Sequence, residues 1–258
     1  MHTHLRRYSF LVILPLIKID KFSILFAVML TQITFKQSQL DFPRVKTAYN
    51  QKEEVVKRLF DQRNVSYKGF QLFIRAFKKE QLIEVWIKEA GKESYTFLNS
   101  YDFCTTSGTL GPKRKEGDFQ IPEGLYTINH FNPQSNFYLS LGINYPNASD
   151  KILSDPKHPG GAIYLHGNCV TIGCIPITDD RIKELYLMAV EARNNGQEKI
   201  PVHIFPARLS TEQFITLKKE YPAGTIAFWE NLKVVYDDFE LTKKLKPVKV
   251  KKDGQYSF

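Results

Sequence analysis

Cysteine, methionine and tryptophan are scarce in this chain, at three, three and two of 258 residues. Three thiols cannot build a disulfide-dense scaffold, nor by themselves a four-thiolate zinc site. No uninterrupted apolar run reaches the roughly 18–20 residues of a confident membrane span. Collagen-like and low-complexity bias are missing too. What is present is globular: 43% hydrophobic, 13% aromatic and 24% charged residues. The length suits one large domain or two small ones with an ample core. The net charge of +9 sits at the two ends. Residues 1–38 hold five Lys/Arg and one Asp, residues 241–258 hold six Lys and one Asp, and residues 39–240 hold 25 of each sign. The body is neutral, so the charge is no argument for a nucleic-acid-binding domain.

The first 38 residues have the arrangement of an export segment. Arg6 and Arg7 precede an apolar run over 10–17, and a second run follows over 22–35 after Lys18, Asp20 and Lys21. A positive flank ahead of about 7–15 apolar residues marks a secretory signal, with an uncleaved membrane anchor as the alternative. Either one places the protein outside the cytoplasm, in the periplasm or cell envelope. At the other end, six lysines between Lys243 and Lys252 surround Pro247. Such a run is expected to be a solvated, mobile tail, with contact to a membrane or an anionic wall polymer as the sharper reading.

Between the ends, strands come first and helices later. Val55, Val56, Leu59 and Phe60 have helical spacing within 51–63. The stretches 69–77 and 82–87, separated by a polar turn, read as a β-hairpin. Further strands are expected at 95–105, 119–131, 137–143, 162–165 and 199–205. Ile182, Leu185, Met188, Ala189 and Ala192 define one helix face, capped by Thr178 or Asp179 and ending near Gly196. Ser210 with Gln213 resembles a capping box opening a helix to about Tyr221, and a last helix is expected from near Trp229. This order predicts one mainly β, α+β domain over 39–240 with helices flanking its C-terminal part.

The chemistry concentrates in one segment. His158, His166, Cys169 and Cys174 fall within 17 positions, among four glycines from Gly160 to Gly173. Glycines let the backbone approach a substrate closely and aim N–H groups at it. A thiolate is a strong nucleophile, and a nearby imidazole can take its proton. A strand delivering His166 and a short loop returning with Cys174 would set both on one ledge, with the Gly173 and Cys174 N–H groups as oxyanion donors. Taken singly, each His or Cys has a plain alternative as a satisfied turn residue or a small buried hydrophobe. A zinc site is a third reading of the four residues, but their spacing fits no common finger or ribbon. No cofactor is called for.

The pattern Gly-Gly-x-Ile-x-x-His-Gly ending at Gly167, followed by Gly173-Cys174-Ile175, resembles the signature of the YkuD-type L,D-transpeptidase catalytic domain. The compact form His-Gly-x-Cys-x-x-x-Gly-Cys-x-Pro-x-Thr-Asp is closest to the family's YafK-like branch. Thr106-Ser107-Gly108 and the stretch 117–126 resemble that domain's earlier strand and turn, so the likeness runs over about 69–208. It implies a β-sandwich catalytic domain with Cys174 as nucleophile and His166 as base. It also implies Gly167 and Gly173 as backbone elements and His158 as a residue bordering the pocket. The implied substrate is a peptidoglycan stem peptide, attacked at the carbonyl of an L-centre bonded to a D-residue. The acyl-enzyme is then resolved by an amine acceptor or by water. Hydrolysis with the same site, and a non-catalytic wall-binding module, are the competing functions.

One departure from the family pattern bears on specificity. Cys-Ile-Arg-Met is common, but here Ile175, Pro176 and Ile177 follow Cys174. Lys113, Arg114 or Lys115 could supply the charge of the missing Arg, or could simply form a solvated loop face. Ser107 and Thr171 are further candidates to line the pocket. Cys169 could pair with Cys104 or with Cys174, and the expectation is a free, packed thiol beside the pocket.

Overall fold

The computed structural model describes residues 33–258. The export segment read from the sequence therefore lies almost entirely outside the described residues. Phe35–Phe258 forms one compact unit, beginning inside the 1–38 segment. Two helices open it, α1 (Phe35–Leu40) and α2 (Pro43–Gln62). The second starts eight residues before the expected 51, because Pro43 occupies its first turn and Val45, Ala48 and Tyr49 extend the buried stripe. Then follow β1 (Gln71–Phe77), β2 (Leu82–Lys88), β3 (Thr96–Asp102), β4 (Gly124–Asn132) and β5 (Ser140–Ile143). A short α3 (Ala148–Leu153) leads to β6 (Tyr164–His166) and β7 (Ile175–Pro176). The chain ends with α4 (Thr178–Asn194), β8 (Ile200–Phe205), α5 (Thr211–Glu220), α6 (Ala223–Thr242), β9 (Lys249–Val250) and β10 (Tyr256–Ser257).

The strand-led α+β architecture is as expected. Its β-layer is one continuous ladder of eight strands, in the order β3-β2-β1-β8-β4-β5-β6-β7. Side-chain alternation gives this sheet two cores. From β1, Leu72, Ile74 and Ala76 join the buried faces of α2 and α4, while Phe73 and Phe77 point to the opposite side. There α6 covers them with Trp229, Tyr236 and Phe239. Burial on both faces explains why β1 reads as an almost unbroken apolar run. The last helix begins at Ala223, six residues ahead of Trp229, with Pro222 as its N-cap. No described helix is long and apolar enough to cross a membrane.

The basic tail is not the free segment its charge suggested. β9 and β10 form a small antiparallel hairpin, and Tyr256 is buried against the α5/α6 core. The Tyr256 hydroxyl accepts from Leu125 N–H at 3.3 Å and from Asn147 Nδ2 at 2.9 Å. Its backbone exchanges two hydrogen bonds with the Asn231 side chain. Lys243, Lys244 and Lys246 are paired with Glu240, Glu93 and Asp238. One aromatic anchor outweighs the solvation tendency of the lysines around it.

Candidate active site

Strands β6 and β7 are parallel neighbours, pairing Leu165 with Ile175 and His166 with Pro176. Leu165 and Ile175 are fully buried in the core. Alternation then sends His166, and Cys174 just ahead of Ile175, to the other face. Sequence spacing fixes the loop between them, but this pairing register is what brings the two side chains to one cleft. Pro176, which lacks an N–H, sits on the last strand of the ladder, where none is needed.

The loop 167–174 is pinned at both ends. A Cβ on Gly167 would lie 2.5 Å from Asp179 Oδ1 and 2.9 Å from the Phe137 carbonyl, so only glycine fits there. Asp179 Oδ1 accepts the Asn168 N–H at 2.8 Å, tying the loop to the first turn of α4. At the far end Gly173 takes φ +135°, and Thr171 folds back over the turn. Thr171 Oγ1 accepts the N–H of Cys174 at 2.8 Å and of Gly173 at 3.2 Å, and donates to the Cys174 carbonyl at 2.8 Å. The two N–H groups expected as oxyanion donors are thus engaged by a side chain in the resting structure.

Cys169 corrects a second expectation. It is disulfide-bonded to Cys104 rather than free, and Cys174 is the free cysteine. Cys104 follows β3 and donates its N–H to the Pro176 carbonyl at 3.0 Å. The disulfide therefore straps the middle of the loop to the segment that already flanks β7. Sequence distance concealed this, since the partners are 65 residues apart.

His166 is 1% exposed, and its Nδ1 hydrogen-bonds the Gly167 carbonyl. A carbonyl only accepts, so Nδ1 carries the proton and Nε2 keeps its lone pair. Burial lowers the imidazole's proton affinity below the usual histidine value, partly offset by that hydrogen bond. The Cys174 thiol donates to the Ala162 carbonyl at 3.7 Å. Burial raises its pKa, against smaller lowering effects from the Tyr164 backbone and the Lys113 charge. Both groups rest neutral. They face a cavity of about 400 Å³, whose walls also include Phe137, Ala162, Val170, Thr171 and Ile172. Such a pair can accept a carbonyl compound at sulfur with the base beside it.

The remaining candidates are more scattered. Ser107 donates to the Phe119 carbonyl at 2.9 Å and lines a separate cavity of about 380 Å³. His158 is exposed, with its N–H on Asp155 and its carbonyl taking the Glu116 N–H. It does not line the cavity that His166 and Cys174 share. Lys113 is buried and bound to Asp118 Oδ1 at 2.6 Å, while Arg114 lies over the Phe228 ring, 3.6 Å from Asp150. Neither is the solvated loop face or the free cation that the sequence allowed; Lys115 alone of the three is exposed. Among the described residues no group of three or more His, Cys, Asp or Glu side chains is placed to hold a metal. Phe137 was not anticipated. Its ring stacks on His166 with centroids 4.6 Å apart, and the sequence had placed it only at the head of the expected strand 137–143, whereas β5 begins at Ser140.

Residues 73–204 match the model of the L,D-transpeptidase catalytic domain, YkuD. A curated relative from Escherichia coli (strain K12), named "Putative L,D-transpeptidase YafK", is 36% identical over 190 residues, covering 73% of this chain and 74% of the relative. Among solved structures, the helical cell shape determining protein Pgp2 of Campylobacter jejuni is similar at TM-score 0.42 and 16% identity, over 76% of this chain and 80% of Pgp2. Bd1075 of Bdellovibrio bacteriovorus is similar at TM-score 0.38 and 24% identity, over 53% of this chain and 48% of that one.

Proposed function

This chain belongs to the YkuD L,D-transpeptidase catalytic domain family, and from that premise we propose that it is an exported cysteine acyltransferase acting on peptidoglycan stem peptides. The observation that carries the reading is the shared cleft of His166 and Cys174, with the imidazole tautomer set for proton transfer. Nε2 takes the thiol proton as sulfur attacks the L-centre carbonyl, and the tetrahedral oxyanion forms. The carbon–nitrogen bond to the D-residue then breaks, and the imidazolium returns its proton to the departing amine. The thioester on Cys174 is resolved by an acceptor amine, which loses a proton to His166 and restores the thiol. Oxyanion binding at the Gly173 and Cys174 N–H groups requires the Thr171 side chain to rotate away.

Export is supported by the flanked apolar runs at the N-terminus and by the Cys104–Cys169 disulfide, a bond that persists in oxidising compartments. The test is incubation of the purified protein with defined muropeptides, with and without an amine acceptor, followed by mass spectrometry. The expected result is an acceptor-linked product that disappears in Cys174→Ala and falls by about 10²–10⁴-fold in His166→Ala. A free acid that persists under excess acceptor overturns transpeptidation in favour of hydrolysis. Turnover by Cys174→Ala overturns the nucleophile.

A further inference from the structure

We propose that Phe137 is a positioning residue for the base His166, held over the imidazole by Arg44 of α2. The inference rests on the reading of His166 as base and extends it to residues outside the family motif. The two rings are stacked, 4.6 Å between centroids and 30° between planes. The hydrogen bond from Nδ1 to Gly167 fixes which nitrogen carries the proton and which keeps its lone pair. It leaves the ring free to tilt about that bond, and the Phe137 face closes that freedom from one side.

The loop bearing Phe137 is built for the purpose. Arg44 Nη1 donates to the Ser135 carbonyl at 2.6 Å and to the Tyr138 carbonyl at 2.8 Å, bracketing Phe137. The Phe137 N–H donates to Ser135 Oγ at 3.0 Å, and the Gly167 N–H reaches the Leu139 carbonyl at 3.2 Å. The Phe137 side chain is 38% exposed and belongs to no core cluster of the described residues. Core packing therefore does not account for it, whereas its contact with His166 does. The ionisable groups around the imidazole are the Cys174 thiol across the cleft, Lys113 acting on that thiol, and Asp179 behind Gly167.

The test reads the pair without any wall substrate. Cys174 is alkylated with iodoacetamide across a pH series and followed by intact mass in the disulfide-intact protein. The variants are Phe137→Ala, Phe137→Tyr, Arg44→Ala and His166→Ala, with thermal melts to confirm that each is folded. Phe137→Ala is expected to slow alkylation about 10-fold, since small misplacement of a reacting group is costly. It should also shift the rate midpoint upward, because water regains one face of the imidazole. Phe137→Tyr should restore both, and Arg44→Ala should show the same shift in smaller measure. A folded Phe137→Ala with wild-type rate and midpoint overturns the proposal. If His166→Ala itself alkylates at the wild-type rate, the base assignment fails instead, which is a separate outcome.

Discussion

Because burial lowers the proton affinity of His166 and raises that of Cys174, the pair rests as imidazole and thiol rather than as an ion pair. This fixes the sign of the pH dependence. The base must be unprotonated to act, and its folded pKa lies below the ordinary 6.5. Activity should therefore hold to more acidic pH than a solvated histidine would permit, then fall as the ring protonates. The raised thiol adds no loss on the alkaline side, since the protonated thiol is the form His166 acts on. A pH profile of kcat/KM on a muropeptide checks this, and an acid-limb midpoint at or above 6.5 would contradict it. Both residues could be read from the sequence, because a His and a Cys in Gly-rich surroundings carry their chemistry in their identity. The engagement of Gly173 and Cys174 by Thr171 could not, since a threonine three residues before Cys174 has many equivalent roles.

At the scale of elements, the 167–174 loop owes its position to three anchors: the β6–β7 register, the Asp179 contact and the disulfide. The disulfide is the long-range one. Closing a chain segment of 65 residues restricts the unfolded state by about 2–4 kcal/mol. The double variant Cys104→Ser/Cys169→Ser should lose stability of that order in denaturant unfolding, and wild-type protein under reductant should match it. Equal midpoints with and without reductant would show that the strap does not stabilise the fold. The sequence placed β6 at 162–165, starting two residues early and stopping short of His166, because a three-residue strand shows little periodicity, and β7 at two residues shows none. Longer elements such as β1, β2 and α4 declared themselves, since several buried positions repeat within each.

Across the whole molecule, the C-terminal hairpin closes the face of the sheet that α6 covers. Tyr256 joins the core formed by Phe205, Trp229 and Tyr236, and its hydroxyl ties α3 to the start of β4. Deleting residues 249–258 should cost about 3 kcal/mol or more, the usual scale for losing a buried aromatic with its contacts. A thermal melt of the truncated protein checks this, and an unchanged Tm would return the segment to the status of a free tail. The net charge led the other way. Six lysines in a short stretch suggest solvation, while the deciding residue is a single tyrosine whose partners lie as far as 131 positions upstream.

The sequence by itself determined the strand-led class, the neutrality of the body, the family and the candidate residues for the chemistry. Each is expressed locally, through period-2 and helical spacing, charge counts, or a motif confined to a few turns of chain. Only the tertiary structure decided that Cys169 joins Cys104, that Lys113 is buried on Asp118, and that Arg44 mounts Phe137 on His166. The physical reason is common to the three. Whether a thiol, an ammonium or an aromatic ring is free is set by what packing brings within a few ångströms. Arg44 and Ser135, 91 residues apart, share no local pattern that could announce their contact.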